Sequence, residues 1–368
     1  MIIQSIELNN FRNYENLQIS FDEGTNILFG DNAQGKTNIL EAAYLSGTTK
    51  SHKGSKDKEM IRFGTNEAHL RTMVLKKGKQ YQIDMHLKHN RSKGIAVNKI
   101  PMKKASELFG ILNIVFFSPE DLNIIKNGPS ERRHFLDAEL CQLDKIYLSD
   151  LSNYNKILNQ RNKLLKDMVY RPELSDTLPV WDMQLADTGK KIIRRREKFV
   201  KELNELVHEI HYRISGGREE LFLSYEPSVS ADLLEQELER VKPRDLKQCQ
   251  TSVGPHRDDL LFSIAGVDIR KFGSQGQQRT SALSLKLSEI ELVRKSIHDT
   301  PVLLLDDVLS ELDSNRQNYL LNSICDTQTI ITCTGLDEFI RNRFEINKVF
   351  EVISGQVFEK GQVIERQG

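Results

Sequence analysis

The sequence predicts an α/β protein with a largely parallel sheet and a helical segment inserted in the middle of the chain. A glycine-rich loop at residues 30–37 lies between an apolar strand and a helix. A second apolar strand ends in two aspartates at residues 302–307. Between them, from about residue 119 to 241, apolar residues recur at helical spacing. Strands that alternate with helices around a glycine loop are typical of a parallel sheet covered by helices.

The N-terminal third consists mainly of predicted strands. Alternation and β-branched content predict strands, separated by polar turns, over residues 2–8, 18–21, 25–29, 68–75, 81–87 and 94–97. A continuous apolar run at 111–117 has the length of a buried strand. A helix is predicted over residues 36–45, directly after the glycine loop.

The middle of the chain predicts two long helices. Apolar stripes run from Tyr147 to Leu165 and from Trp181 to Ile210, and residues 170–179 between them contain two prolines that break the helix. The two helices would form an antiparallel hairpin, an arm that is too short and irregular for a long coiled coil. A plain helical core and a functional lever both agree with this pattern.

Strand character returns after about residue 242. The pattern predicts strands over 260–264, 267–269, 302–305 and 329–332, with helices over 278–295 and near 314–324. We therefore predict a head formed by residues 1–118 and 242–368, and an arm formed by residues 119–241.

The glycine loop matches the phosphate-binding pattern G-x-x-x-x-G-K-[ST], which is specific when a strand precedes it and a helix follows. Gly30 and Gly35 allow the backbone N–H groups to converge on phosphates. Lys36 would reach the β- and γ-phosphates of ATP, and the Thr37 hydroxyl would ligate Mg²⁺. The predicted nucleotide contacts are Gly30, Asp31, Asn32, Ala33, Gln34, Gly35, Lys36, Thr37 and Asn38.

The strand that ends in Asp306 and Asp307 is a Walker B pattern. Asp306 would hold Mg²⁺, and Asp307 stands where a general base would orient the attacking water. Together with Lys36, these aspartates are the predicted catalytic residues. An apolar run that ends in acids is common by itself, but its pairing with a phosphate-binding loop is a strong indication of an ATPase.

A further motif stands upstream of the Walker B strand. Ser274, Gln275, Gly276 and Gln277 resemble the L-S-G-G-Q signature of ABC-type ATPases, and residues 309–313 resemble their D-loop. A polar glycine turn is the other interpretation of residues 273–279. The resemblance implies an ABC-type head, split in sequence by the arm. It also implies a head-to-tail homodimer in which the signature of one copy contacts ATP on the other.

Three more motifs resemble the RecF family within the SMC-like branch of these ATPases. They are residues 10–14, residues 119–137 and residues 254–259. In the first, Arg12 corresponds to an arginine that SMC-like heads carry near the nucleotide. The resemblance covers the whole chain and implies DNA repair, recombination and replication, with DNA at gaps or junctions, RecO and RecR as partners, and slow hydrolysis that acts as a switch.

Three positions depart from the ABC pattern. Asp307 replaces the usual glutamate and is one methylene shorter, which favours slow hydrolysis. The position of the switch histidine falls near Thr334, and no histidine stands there. A Q-loop glutamine cannot be placed after residues 111–117; Glu120 is a candidate substitute.

Two basic stretches are candidate DNA contacts. The head cluster, within residues 71–104, consists of Arg71, Lys76, Lys77, Lys79, Lys88, Arg91, Lys93, Lys99, Lys103 and Lys104. The arm stretch consists of Lys190, Lys191, Arg194, Arg195, Arg196, Lys198 and Lys201. A solvated charged face is the other interpretation of each. No motif indicates base readout, so little sequence specificity is expected.

Composition excludes several classes of protein. Lys+Arg and Asp+Glu are both 52, which argues against a histone-like coat of charge. The 4 cysteines form no C-x-x-C pair, so neither a disulfide framework nor a zinc knuckle is indicated. No secretory leader or membrane span is evident, and a cytoplasmic location is expected. The alternatives to a RecF-type function are the nucleotide-binding subunit of a transporter and an SMC-type tethering head.

Overall fold

The computed structural model describes residues 1–324, 326–336 and 346–360. The chain divides into two compact units. The head unit consists of Met1–Asp121 and Glu289–Gly368, and the arm unit consists of Leu122–Ser288. The first boundary lies close to the one predicted at residue 118, whereas residues 242–288, predicted as head, cluster with the arm unit.

The N-terminal part of the head unit contains a meander of antiparallel strands, the helix after the glycine loop, and a short buried strand. In order, these elements are β1 (Ile2–Phe11), β2 (Tyr14–Ser20), β3 (Thr25–Phe29), α1 (Lys36–Thr48), β4 (Glu67–Lys76), β5 (Lys79–Lys88), β6 (Arg91–Val97), β7 (Ile100–Pro101) and β8 (Ile114–Phe117).

The arm unit begins with helices and includes a small sheet. Its elements are α2 (Leu122–Lys126), α3 (Pro129–Leu143), α4 (Lys145–Asp167), α5 (Leu178–Ile214), β9 (Leu221–Glu226), α6 (Leu234–Gln248), β10 (Asp259–Ile264), β11 (Val267–Asp268), α7 (Ile269–Phe272) and α8 (Gln275–Ile297). Helix α8 contains the second boundary between the units.

The head unit is completed by β12 (Val302–Asp306), α9 (Ser314–Ser323), β13 (Thr329–Cys333), β14 (Lys348–Ile353) and β15 (Gln356–Lys360). None of the described helices has the length and the apolar character that crossing a bilayer requires.

The head unit has two six-stranded sheets. One is antiparallel, with the strand order β2-β1-β4-β5-β6-β7. The other has the order β15-β14-β3-β13-β12-β8 and is parallel except for the β14–β15 hairpin. Apolar side chains of β1, β4, β5, α1 and the parallel strands form one buried cluster. The predicted α/β class with a largely parallel sheet is confirmed, and the antiparallel sheet lies beside it in the same core.

Strand pairing explains why residues 242–288 belong to the arm unit. Strand β10 pairs with β9 in antiparallel register from Asp259↔Glu226 to Ile264↔Leu221, and β11 pairs with β10. Helix α5 packs on both β9 and α6. Strand β9 lies in the segment predicted as purely helical, so local patterns alone assign its partner β10 to the head.

The predicted helical hairpin is present in the arm unit. Helices α4 and α5 pack on each other and are joined by residues that include a 3₁₀ turn at Pro172–Thr177. Leu165, Met168 and Leu178 form a small apolar cluster where the two helices meet.

Candidate active site

The two predicted ATPase motifs lie at the same edge of the parallel sheet. Strands β3 and β12 both pair with β13, in parallel register. The carboxyl ends of parallel strands meet at one edge, where open α/β sheets bind ligands. The glycine loop after β3 and the aspartates that end β12 are therefore neighbours, although Thr37 and Asp306 lie 269 positions apart in the sequence.

The backbone of the glycine loop requires glycine at both ends. Gly30 has φ 147° and Gly35 has φ 117°. A Cβ at Gly30 would lie 2.4 Å from the Val352 carbonyl oxygen, and one at Gly35 would lie 2.5 Å from Asn13 Nδ2. Ala33 between them also has a positive φ, 64°. Left-handed residues in a tight loop favour the concave arrangement of N–H groups that binds anions.

The Lys36 ammonium is buried inside this loop. It donates to the carbonyl oxygens of Gly30, at 2.6 Å, and Asp31, at 2.9 Å. The residue is only 4% exposed, and no carboxylate of the described residues lies within ion-pair distance. An anionic ligand can pair with a buried cation whose hydrogen-bond acceptors are neutral carbonyl groups, so the loop fits a phosphate group.

Asp306 is hydrogen-bonded to two hydroxyl groups. Thr37 Oγ1 and Thr332 Oγ1 each donate to Asp306 Oδ1 at 2.8 Å. The Asp307 N–H in turn donates to Thr332 Oγ1 at 3.0 Å. A hydroxyl and a carboxylate held together at the end of a phosphate-binding loop are oxygen donors of the kind that Mg²⁺ prefers, so the predicted metal residues fit that ion.

The Asp307 carboxylate, unlike that of Asp306, accepts no hydrogen bond from the described residues. Asp307 is half-buried and has φ 51°, a conformation that non-glycine residues rarely adopt. Within the described part of the chain, no hydrogen bond reaches its carboxylate. Burial raises its pKa, and the Asp306 charge adds to the rise while Lys36 opposes it. An unengaged carboxylate beside the metal residues is suited to accept a proton from water.

The β14–β15 hairpin covers the glycine loop. The backbone N–H groups of Ser354 and Gly355 donate to the side chain and the carbonyl of Gln34, respectively. From the other side, Asn13 Nδ2 donates to the Gln34 carbonyl, and Asn38 donates to Asn13 Oδ1 at 2.8 Å. These contacts fix the loop before any ligand binds.

Comparison with known proteins agrees with this geometry. The model of the family described as RecF/RecN/SMC N terminal domain matches residues 2–356. A curated relative from Agathobacter rectalis, DNA replication and repair protein RecF, is 74% identical over 357 residues, which cover 97% of this chain and 99% of the relative. Its counterpart from Lachnospira eligens is 62% identical over 359 residues, with the same coverage.

The chain belongs to the RecF family of DNA replication and repair proteins. A solved structure described as the recombination mediator protein RecF with ATP in the RecFOR pathway superimposes with a TM-score of 0.92 at 38% identity. That match covers 98% of this chain and 97% of the other. The Smc head domain of Pyrococcus furiosus, at 18% identity and a TM-score of 0.56, shares the fold. The predicted SMC-like, ABC-type head is thus confirmed.

Arg12 of this RecF-family chain is engaged by protein groups. Its Nε and Nη2 form a bidentate pair with Glu41, each at 2.7 Å, Nη1 donates to the Glu59 carbonyl, and Nη2 also donates to Ser55 Oγ. Glu41 is fully buried in α1. Burial alone would raise the pKa of its carboxyl, but the bonds from Arg12 and Ser51 outweigh burial and lower that pKa. Nucleotide contact by Arg12 stays a prediction; its observed role is to join the residues after β1 to α1.

The signature residues form the start of a helix. Ser274 precedes α8, its Oγ accepts from the Gln277 N–H at 3.2 Å, and Gln277 Oε1 accepts from the Ser274 N–H at 2.9 Å. This reciprocal pair is a capping box. Ser274, Gln275 and Gly276 are exposed. The motif belongs to the arm unit, and its contact with a nucleotide stays a prediction.

The two other departures from the ABC pattern stay predictions. Glu120 is exposed in a 3₁₀ turn, Pro119–Asp121, just after β8. Thr334 is exposed and directly follows β13, and no histidine occupies that position.

His52 lies near the site although its sequence gives no signal of this. Its ring stacks on Phe116 of β8 with 4.1 Å between centroids, and both ring nitrogens are buried without a hydrogen-bond partner among the described residues. Burial lowers its pKa to about 4, although the Glu41 and Asp306 charges oppose this shift. The imidazole is therefore neutral at physiological pH, and it packs on β8, the strand that pairs with the Walker B strand β12. A lone histidine in a polar loop cannot be distinguished by pattern from a surface residue.

Residues of the other two RecF-like motifs form a partly buried network within the arm unit. Arg132 forms a bidentate pair with Asp259, and Arg133 Nη1 donates to the Asp258 carbonyl at 2.7 Å. Asp258 also accepts from Tyr225 and the Ser228 N–H. Tyr154 Oη and His256 Nδ1 are 2.7 Å apart. These contacts give the motifs a structural role in the arm unit.

Proposed function

We propose that this chain is an ATP-operated switch that binds DNA during recombinational repair and replication. The observation that carries the proposal is the hydrogen bond between Thr37 and Asp306, which joins the glycine loop to the Walker B strand. The ATP-bound RecF structure, similar over nearly the whole chain, supports ATP as the ligand.

Each site residue has a distinct role in this proposal. The glycine loop and the Lys36 ammonium bind the phosphates of ATP, and Thr37 with Asp306 would hold Mg²⁺. When bound, Mg²⁺ neutralises charge that develops on the phosphate oxygens. Asp307 accepts a proton from the attacking water. Its side chain is one methylene shorter than that of glutamate, so water must approach closer to the backbone, which favours slow hydrolysis. We propose that DNA binding stimulates this hydrolysis.

ATP-dependent dimerisation is part of the proposal, and the exposed signature motif supports it. The exposed helix start at Ser274–Gly276 has N–H groups and a hydroxyl that suit a phosphate, and they lie outside the unit that contains Lys36. In an ATP-dependent homodimer, the signature of one copy would complete the site of the other. Hydrolysis would then separate the two copies.

The DNA surface is assigned to the head unit. Lys77 lies in the β4–β5 turn and Lys99 in the β6–β7 turn, and Lys79 begins β5. Residue Asn98 exchanges hydrogen bonds with Gln82, so both turns lie at one end of the antiparallel sheet, within about 10 Å along β5. These three lysines are exposed, and none forms an ion pair with the described residues. They are available to DNA phosphates.

The arm stretch does not support the same role. Lys190 pairs with Glu235, and Lys191 with Asp187. Arg196 is buried and pairs with Asp137. Further pairs among the described residues are Arg194–Asp232, Arg195–Asp144, Arg195–Asp150, Arg196–Asp258 and Lys198–Glu202. The charge of this stretch is largely compensated within the arm unit, so the proposed DNA surface excludes it.

RecO and RecR are the proposed partners, and loading of a recombinase at gaps is the proposed outcome. The support is family membership and the description of the similar RecF structures as part of the RecFOR pathway. The same membership leaves the transporter alternative without support. A tethering role would require a longer coiled coil than α4 and α5 supply, at 23 and 37 residues.

Fluorescence anisotropy with gapped DNA tests this function. We expect tighter binding with ATP than with ADP or without nucleotide, and affinity that falls steeply with salt. Ungapped duplex and single strands of equal length serve as controls for the preferred structure. Equal affinity in all three nucleotide conditions would contradict an ATP-operated switch.

A further inference from the structure

Three metal-ligating side chains meet on the solvent face of the antiparallel sheet, outside the nucleotide site. Strands β4 and β5 pair with His69 directly opposite His86, and Glu67 opposite Lys88. Residues two apart on a strand face the same side. Glu67, His69 and His86 therefore project from the same face, and the two histidines are cross-strand neighbours.

Both imidazoles present the same nitrogen to one carboxylate. His86 Nε2 lies 3.0 Å from Glu67 Oε2, and His69 Nε2 lies 3.8 Å from Glu67 Oε1. The two rings stack with centroids 3.8 Å apart and an interplanar angle of 25°. The three ligand atoms all lie within 4.8 Å of one another. Zn²⁺ binds imidazole and carboxylate at about 2.1 Å, so small side-chain rotations would bring all three onto one ion.

Space for a further ligand adjoins this cluster. A cavity of about 430 Å³ opens over the sheet, lined in part by Asn9, His69, His86 and Gly94. Gly94 stands opposite His86 on β6 and leaves that side of the histidine uncovered. The next cross-strand pair, Arg71 and Asp84, is joined by a 2.7 Å salt bridge. The competing contact is Lys88 Nζ, which lies 3.6 Å from Glu67 Oε2.

We propose that Glu67, His69 and His86 form a Zn²⁺ site with one coordination position open to the cavity. Two imidazoles and a carboxylate select zinc-like transition metals over Mg²⁺, which prefers oxygen ligands. The two neighbouring strands already hold all three ligands, so little backbone ordering is needed on binding. Lys88 loses its acidic partner when the metal binds. The site is independent of the nucleotide and of the proposed DNA surface.

Zinc titration of the full-length, tag-free protein tests this proposal. A chromophoric chelator would compete for Zn²⁺ against wild type, His69→Asn, His86→Asn, Glu67→Gln and the control His89→Asn, an exposed histidine just after β5. We expect one Zn²⁺ per wild-type chain. Each histidine substitution should weaken affinity at least about tenfold, and Glu67→Gln less, whereas His89→Asn should match wild type.

X-ray absorption of the zinc-loaded protein identifies the ligands. Nitrogen and oxygen neighbours with imidazole scattering would support the site, and sulfur would assign the zinc to cysteine. The variants change side chains on the solvent face of the sheet, so circular dichroism and thermal melting without metal should match wild type. The proposal is overturned if the double variant His69→Asn/His86→Asn binds zinc as tightly as wild type, or if wild type takes up none.

Discussion

The two units differ in whether their buried or exposed cationic side chains have acidic partners. In the arm unit, Arg161 and Arg196 are buried and neutralised by carboxylates. In the head unit, the Lys36 ammonium donates to carbonyl oxygens and has no acidic partner among the described residues, and Lys77 and Lys99 stand in exposed turns. The buried arginines of the arm unit therefore serve its internal stability. In the head unit Arg71, Lys88 and Lys93 are also paired with acids, whereas Lys36, Lys77 and Lys99 remain open to anionic ligands.

The largest effect is expected from breaking the arm network at Arg161. Arg161 donates to Asp182 at 2.6 Å and to the fully buried Asp245 at 2.8 Å. Arg161→Ala leaves Asp245 buried without its cation, so we expect a loss of about 3–5 kcal/mol of unfolding free energy. Chemical denaturation of the purified variant measures this loss.

An exposed arginine provides the matched control. Arg240 pairs with Glu237 on the surface of α6, and Arg240→Ala should leave the denaturation midpoint close to that of wild type. Equal shifts of the denaturation midpoint in the two variants would show that burial of Arg161 does not determine how much it contributes to the free energy of unfolding.

The next effect concerns Lys36. Lys36→Ala removes the buried ammonium, and two charged hydrogen bonds to phosphate correspond to an affinity loss of about 100-fold. Isothermal titration with ATP and Mg²⁺ measures it, and ATP-dependent dimerisation should be lost with it. Lys50→Ala, an exposed lysine just after α1, is the control and should bind ATP like wild type. Wild-type ATP affinity in Lys36→Ala would refute the assignment of the loop.

A smaller effect is expected at the head lysines. Lys77 and Lys99 have φ values of 48° and 67°, so asparagine, which tolerates this conformation, is the suitable neutral residue there. The variant Lys77→Asn/Lys79→Gln/Lys99→Asn should bind DNA about tenfold more weakly. Its log–log salt slope should fall by about 2–3, since three phosphate contacts are lost.

A matched triple variant of the arm stretch tests whether the head lysines contribute more to DNA binding than the arm lysines do. Lys190→Gln/Lys191→Gln/Lys198→Gln removes the same charge from side chains that are paired within the arm unit. It should change DNA affinity less than about twofold in the same anisotropy assay. If the arm variant loses more affinity than the head variant, the assignment of the DNA surface is reversed.

The sequence predicts the parts of the fold that local patterns determine. The predicted bounds of β3 match the observed ones, and the predicted start of α1 at Lys36 is also correct, because the glycine loop marks both ends. Strand β9 is not predicted, because its six residues lie between α5 and α6, where apolar residues recur mainly at helical spacing. The β14–β15 hairpin is not predicted either, although it covers the glycine loop.

In the site, too, local motifs identify some residues, whereas other contacts depend on the tertiary fold. Lys36, Thr37 and Asp306 are identifiable from sequence because their motifs have fixed spacing. The partner of Arg12 is Glu41, and the ring of His52 meets Phe116; both contacts form only on folding. Pairing of β9 with β10, which places residues 242–288 in the arm unit, likewise depends on contacts between segments distant in sequence.

The most direct test of the ATP switch is sedimentation of Asp307→Asn. Asparagine preserves size but cannot accept the proton from water, so ATP should bind and persist. We expect Asp307→Asn to sediment as a stable dimer with ATP and Mg²⁺ and as a monomer with ADP, whereas wild type returns to monomer as ATP is consumed. An Asp307→Asn variant that sediments identically with ATP, with ADP and without nucleotide would contradict the switch.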